Sequence, residues 1–543
     1  MPSALYTHAY LRTPALPAHA GLSAMLVRDG TVAWLGPVDE APSADTVVDC
    51  RDLAGGNALI TPAFVDSHVH ATDCGLALSG LDLSGVRSAA ALLVALERFA
   101  ADLPGGAIVL GHGFDDSTWP REAQTPPSAS ELARASGGRP VYLSQASIHS
   151  ALVTPDLLTL AVGVPGYDES GWVRRDAHHV VREAAFKGIT VQQRRDAQRT
   201  MLRHAASLGI AAVHECGGPG TSSEDDFTDV LALSGNGLPE VYGYWGELMG
   251  AGKALGLGAV GAGGDLYADG ALGSRTAHLS DAYLDGEPGG CGHGYVTADQ
   301  VRDHLLDCHR HLVDERSREE PGAQSAGRPL QGGFHAIGDR AIATVLEGFG
   351  LAAAKLGARG VSGAEVLREA RHRIEHVEIV DKAMIAKFVE YGITASMQPA
   401  FDRLWGGEHQ MYAQRLGVAR SLASNPMGQM HGVGVALAFG SDAPVTPLDP
   451  WGSVRAAVNH FNPVQRMSPK AAFAAHTRGG WRAVHRDDDG VLAPGTAATF
   501  AVFSTPAGLV GTLPALLPEL PGEPLPALPE CRRTVLRGEI IHG

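Results

Sequence analysis

The strongest constraint on this chain is an alternation through its middle, where short apolar runs of β character are separated by longer stretches with helical spacing. "VQQRRDAQRTMLRHAASLG" (Val191 to Gly209) and "DKAMIAKFVEYG" (Asp381 to Gly392) are of the helical kind. Eight runs read as strands: "TPAFVDSH", "VYLSQASIH", "AAVHEC", "DLYADG", "GGFHAIGD", "RIEHVEIV", "GITASMQ" and "VALAFGSD". Eight strands alternating with helices are what a parallel (β/α)8 barrel requires. "GAIVLGHGFDD" and "EVYGYWG" are also strand-like, so the second to fourth strands have competing assignments.

Most of these runs end in a group that can do chemistry. His68 and His70 are followed by His149, His214 with Glu215, Asp265 with Asp269, His335, His376 and Asp442. In a barrel these ends converge on one face. A single histidine at a strand end is more often a hydrogen-bonded structural residue than a ligand; a set of such groups on separate strands is harder to explain that way. In "TPAFVDSHVHATDCG" (Thr61 to Gly75), His68 and His70 are two apart, so on a strand both rings point into one small volume. That pair is either a metal clip or a polar strand terminus. Neutral imidazoles joined by one carboxylate suit a zinc-like divalent ion with an open position for water.

Both chain ends are β-rich. "AMLVRDGTVAWLG" near the N-terminus, and "GVLAPGTAATFAVFSTP" and "RTVLRGEIIHG" near the C-terminus, read as short strands and turns; the last two are separated by the proline-rich "LPALLPELPGEPLPALPE". The expected organisation is an α/β chain: a (β/α)8 TIM barrel over 61–489, with a small β-sandwich assembled from 1–60 and 490–543. With 543 residues the chain is long enough for a large domain and a smaller companion.

Composition excludes several classes. With 59 acidic against 43 basic residues and a formal charge of -16, no basic patch for a nucleic-acid partner is expected. Six scattered cysteines without a CxxC pair supply neither a thiolate cluster nor a disulfide framework, which suits a reducing cytoplasm. No signal segment and no apolar run of membrane-spanning length is read, so the expectation is a cytoplasmic protein without a membrane partner.

The set "FVDSHVH", "FHAIGD", "RIEHVEI" and "FGSDAPV", with "GHGFDDSTWP" and "YADGALGSRTA" between them, resembles the amidohydrolase superfamily. More narrowly it resembles amidohydrolase family 3, the branch holding the YtcJ-like proteins and N-substituted formamide deformylases. The resemblance implies a metal-dependent hydrolase of a non-peptide C–N bond in a small molecule, an N-formyl or N-acyl amine, and is compatible with a homodimer. Carried over residue by residue, it makes His68, His70, His335, His376 and Asp442 the metal ligands, with zinc first among divalent ions. Asp442 is also the general base, and His376 is either a further ligand or a donor to the scissile carbonyl. Trp119, His149 and Arg275 become substrate-contact candidates, although Arg275 is equally an ion pair bracing its loop and Trp119 equally plain packing. The aromatics Phe401, Trp405 and Tyr412 after the seventh strand suit an apolar substrate portion or the packing of that loop.

One departure stands out. Relatives usually carry a lysine, the source of a carboxylated bridge between two metals, where this chain has Asp265. The six lysines, Lys187, Lys253, Lys355, Lys382, Lys387 and Lys470, all lie away from the strand ends. One ion is favoured over two; a second would be bridged by Asp265 or Glu215. An aspartate reaches the position of a long lysine only if its backbone moves inward. The competing readings are a metal-binding protein without turnover and a metal-assisted lyase or isomerase on the same scaffold.

Overall fold

The computed structural model describes residues 3–13, 21–114, 116, 119–120, 125–145, 150–313, 327–357, 360–506 and 527–543. At its centre, eight parallel strands follow in chain order: β1 (Phe64–Val69), β2 (Ile210–Gly217), β3 (Glu240–Trp245), β4 (Gly261–Ala262), β5 (Gln331–Ala336), β6 (Arg373–His376), β7 (Thr394–Met397) and β8 (Ala436–Phe439). Neighbours in sequence order are neighbours in the sheet, from β1 round to β8. The ring closes at its C-terminal rim, where the Asp442 N–H donates to the His68 carbonyl at 2.8 Å and the His70 N–H to the Ala443 carbonyl at 2.9 Å. Gly440 makes that closure sterically possible, because a Cβ there would lie 2.6 Å from the His68 nitrogen and 2.9 Å from Asp66 Oδ1. The result is a TIM barrel whose strands are almost wholly buried, as parallel strands covered on both faces must be.

The helices obey local rules that the sequence displays. In Lys382–Tyr391, Asp381 caps the start by accepting the Met384 N–H, and Gly392 ends it in the left-handed conformation at φ +66°. Ile385, Phe388 and Tyr391 form its buried stripe. None of the described helices is long and apolar enough to cross a membrane.

The chain ends come together in two small sheets. Thr31–Gly36, Ala24–Arg28, Ala4–Thr7 and Thr46–Asp49 form one; Tyr10–Leu11, Ala58–Pro62, Phe500–Ser504, Glu530–Leu536 and Glu539–His542 form the other. Tyr6, Met25, Val27, Ile60, Phe500, Val502 and Val535 share one core between them. Most of the proline-rich stretch lies outside the described residues.

Two compact units are distinguished: Ala71–Met201, and the remainder of the chain. The Ala71–Met201 unit has its own five-stranded sheet, in the order Trp172–Arg174, Ser150–Val153, Val141–Gln145, Val109–Phe114, Leu81–Asp82. This corrects the strand assignment. "VYLSQ" is not a barrel strand, since it pairs antiparallel with Ser150–Val153, with Leu143 opposite Leu152. A short apolar run does not reveal its partner, so its periodicity could not decide. The third barrel strand is instead "EVYGYW", where Gly243 is needed because a Cβ would meet Phe227 Cζ at 2.5 Å. "DLYADG" is not a strand either: β4 is only Gly261–Ala262, and Gly263 and Gly264 then turn the chain, Gly264 at φ +75°.

Several buried or half-buried histidines resist protonation. Burial pulls His309, His460 and His476 down to about 4 and His485 to about 3. Their folded pKa values lie below the unfolded value of about 6.5, so the unfolded chain takes up protons first as pH falls. Each ring therefore contributes stability that is present above pH ~6.5 and lost at up to about 1.4 kcal/mol per pH unit below it. Melting curves are expected to shift to lower temperature from pH 7 to pH 5; an unchanged midpoint would show that these rings are not held neutral.

Candidate metal centre

β1 delivers His68, and the residue two further on, His70, follows just past the strand end. Their ring centroids are 5.3 Å apart. Both point their Nε2 atoms at the same two carboxylates. His68 Nε2 lies 3.3 Å from Asp265 Oδ1 and 3.4 Å from Asp442 Oδ1; His70 Nε2 lies 3.2 Å from Asp265 Oδ2 and 3.2 Å from Asp442 Oδ1. Asp442 arrives from the end of β8 in the left-handed region at φ 57°, and His376 from the end of β6 at φ 72°. Such residues cost about 1–3 kcal/mol each and persist where surrounding bonds over-determine them. Here the Asp442 N–H is fixed on His68 and the Ser441 N–H on Asp66 Oδ1 at 2.9 Å.

A second layer orients the rings. His68 Nδ1 lies 2.9 Å from Glu375 Oε2, and His376 Nδ1 lies 2.8 Å from Gln398 Oε1. Both partners are acceptors, so each Nδ1 carries the proton and each Nε2 keeps a lone pair for the cluster. Phe401 stacks on the His376 ring with planes 8° apart and centroids 5.9 Å apart. Glu375 is itself held by the wholly buried Arg373, through Nε at 2.5 Å and Nη2 at 2.7 Å. That guanidinium also reaches the Ser67 carbonyl at 2.6 Å, Ser396 Oγ at 2.9 Å and His214 Nδ1 at 3.0 Å.

The charge balance calls for a cation. Arg373 offsets Glu375, whereas Asp265 and Asp442 face imidazoles and, for Asp265, the neutral Tyr267 hydroxyl. Burial opposes a charge on His68, yet Cys216, Asp265 and Asp442 hold its pKa well above the usual value. His70 behaves alike, with burial overcome by Asp265 and Asp442. The carboxylates thus favour positive charge in this volume. His68 Nε2 and Asp265 Oδ1 are nevertheless buried without a hydrogen-bond partner. An orphaned imidazole lone pair beside an orphaned carboxylate oxygen, with the rings' other nitrogens already anchored, is a donor set that fits a divalent ion. The nitrogen and oxygen atoms of His68, His376 and Asp442, and of His68, His70 and Asp265, each lie within 4.8 Å of one another.

The other sequence candidates divide. His335 is close, its ring 4.5 Å from that of His376, with Nδ1 partnerless and 3.7 Å from Asp269 Oδ1. Asp269 acts as a clamp, accepting the backbone N–H groups of His278, Ile337 and Gly338. Glu215 is not brought into the cluster: alternation along β2 puts His214 and Cys216 on the inner face and Glu215 on the other, and Cys216 Sγ is the atom 3.5 Å from His68 Nδ1. Arg275 is half-exposed and braces its loop through Asp285, at 2.9 and 3.1 Å, rather than standing free for a substrate. Trp119 packs in the core of the Ala71–Met201 unit, its Nε1–H donating to the Val86 carbonyl at 3.0 Å. His149 lies outside the described residues.

Sequence reasoning missed Tyr267, Gln398 and the Arg373–Glu375 pair. The pair was findable: two charges at i and i+2 in a strand of otherwise buried residues must face one side and satisfy one another. Tyr267 had no such signal. Its hydroxyl donates to Asp265 Oδ2 at 3.1 Å, and its ring lies 4.7 Å from His335.

Comparison with known proteins gives three findings. The model of the amidohydrolase family matches residues 50–542. The protein LONG AFTER FAR-RED 3 of Arabidopsis thaliana is 27% identical over 488 residues, covering 82% of this chain and 78% of that protein; YtcJ of Bacillus subtilis (strain 168), named as an amidohydrolase, is 25% identical over 564 residues, 96% of each chain. Among solved structures, an uncharacterized metal-dependent hydrolase of Pyrococcus furiosus shares the fold, with a TM-score of 0.70 and 23% identity over 93% of this chain and 99% of that one.

Glu375 tests the second layer. Arg373 and the His68 contact hold its carboxyl well below the usual range despite burial. Glu375→Gln is expected to cost about 3–5 kcal/mol, because it leaves the buried guanidinium undercompensated, and to weaken metal binding about 10–100-fold. The native pKa is depressed, so the wild-type advantage is full above pH ~4.3 and fades as pH falls below it. Denaturation of both proteins at pH 7 and pH 3.5 checks this; a stability gap that does not narrow on acidification would contradict the assignment.

Proposed function

This chain belongs to the amidohydrolase family, and from that premise we propose that it is a metal-dependent hydrolase of a non-peptide carbon–nitrogen bond in a small molecule, an N-formyl or N-acyl amine. The observation that carries this reading is the convergence of His68 Nε2, His70 Nε2, Asp265 and Asp442 within 3.2–3.4 Å. We assign the ion, zinc first, to His68, His70, Asp265 and Asp442, with His376 and His335 at the edge of the same volume. An ion held there supplies Lewis acidity that makes water nucleophilic near neutral pH and polarises a carbonyl.

The chain's own residues do the rest. Asp442 takes a proton from the attacking water and returns it to the leaving amine, which contributes on the order of 10²–10⁴-fold. His376 keeps its proton on Nδ1, facing Gln398, so its Nε2 presents a lone pair at the edge of that volume and is not a donor to the carbonyl. Glu375 and Gln398 keep the two rings in the tautomer this requires.

Asp265 favours one specific alternative, a protein that binds the ion without turning over a substrate. Kinetics on a panel of N-formyl and N-acyl amines, with metal content measured in parallel, separates the two. Asp442→Asn is expected to keep the fold and most of the metal while lowering kcat by about 10²–10⁴-fold. A variant with near wild-type kcat would remove Asp442 from the chemistry, and a metal-loaded wild type inert on the whole panel would favour the binding protein.

A further inference from the structure

A tetrahedral intermediate of amide hydrolysis places negative charge on the former carbonyl oxygen, and active sites meet it with a fixed hydrogen-bond donor. Most groups of this cluster are unsuited. Asp265 and Asp442 are acceptors when ionised, and His68 and His376 turn their N–H groups outward to Glu375 and Gln398. Tyr267 differs in both chemistry and exposure. It carries a hydroxyl, and it is 36% exposed where His68, His376, Asp265, His335 and Asp442 are at most 7% exposed.

Its position is fixed from two sides. Residue 267 forms a parallel bridge to His335; the Ala268 N–H donates to the His335 carbonyl at 2.8 Å, and the His335 N–H to the Leu266 carbonyl at 2.9 Å. The ring packs on His335, while the hydroxyl reaches Asp265 Oδ2, the same oxygen that lies 3.2 Å from His70 Nε2. The phenol therefore stands at the solvent-facing edge of the carboxylate that joins the two histidines.

We propose that Tyr267 is a catalytic residue of this site, its hydroxyl donating a hydrogen bond to the substrate's carbonyl oxygen as charge develops there. The role rests on the hydrolase reading above and involves no proton transfer: the phenol keeps its proton and exchanges Asp265 for the substrate oxygen as acceptor. A residue that only oriented Asp265 would act through metal binding instead, and the two roles separate experimentally.

The test compares the full-length wild type with Tyr267→Phe in zinc affinity by chelator competition, kcat and KM on the amide panel, and calorimetric binding of a phosphonamidate analogue of the best substrate. Zinc affinity is expected to be unchanged and KM to move little. Expected kcat is lower by about 10²-fold, and analogue binding weaker by a similar factor. Unchanged kcat and analogue affinity overturn the proposal. So does a loss of zinc affinity that accounts for the loss of activity, because Tyr267 would then be a positioning residue for Asp265. A zinc-loaded wild type that turns over no member of the panel overturns the hydrolase reading, and this inference with it.

Discussion

The interaction on which the centre depends is the buried Arg373 guanidinium. It contacts four strands besides its own: Ser67 on β1, His214 on β2, Ser396 on β7, and the Tyr244 ring of β3 at 4.2 Å. A charge in such a place is tolerable only when paired and fully hydrogen-bonded. Glu375 provides the pairing and passes the order upward, because its second oxygen holds the His68 ring. The polar floor of the barrel thus sets the tautomer and aim of the first histidine.

The rim is shaped by closure rather than by charge. β8 must return to β1 at short range, which Gly440 allows, and the returning chain places Asp442 against His68 and His70 in a backbone conformation that costs energy. β6 ends similarly, with His376 at φ 72° and Val377 at φ 53°. Strain at these two strand ends coincides with two of the groups that face the cluster, which is where strained backbone tends to be retained.

The first strand and the fifth to eighth were legible because each joins an apolar run to a distinctive polar end. Of the second to fourth, "AAVHEC" was legible as a strand but takes the second place instead of the third, and the third and fourth were missed for identifiable reasons. "VYLSQ" looks like any buried strand until its antiparallel partner is known, and a two-residue β4 is too short to leave a pattern. Strand-end placement put His68, His70, His376 and Asp442 on one face among several other candidates, and the family resemblance singled them out together with His335. It did not single out Asp265, which, judged by side-chain length, falls short unless its backbone moves inward. The glycines supply the close approach, since a Cβ on Gly263 would lie 2.4 Å from the Gly333 nitrogen and one on Gly246 2.7 Å from the Asp265 carbonyl carbon. Close backbone approach is a tertiary property that a run of glycines permits without announcing it.

The central claim is that His68, His70, Asp265 and Asp442 hold one divalent ion, and the most direct measurement is an anomalous-difference map at the zinc edge from crystals of the zinc-loaded protein. The account predicts one peak per chain, about 2.0–2.2 Å from both Nε2 atoms and from an oxygen of each carboxylate. No peak between these four residues, or a pair of peaks with Asp265 between them, would contradict it.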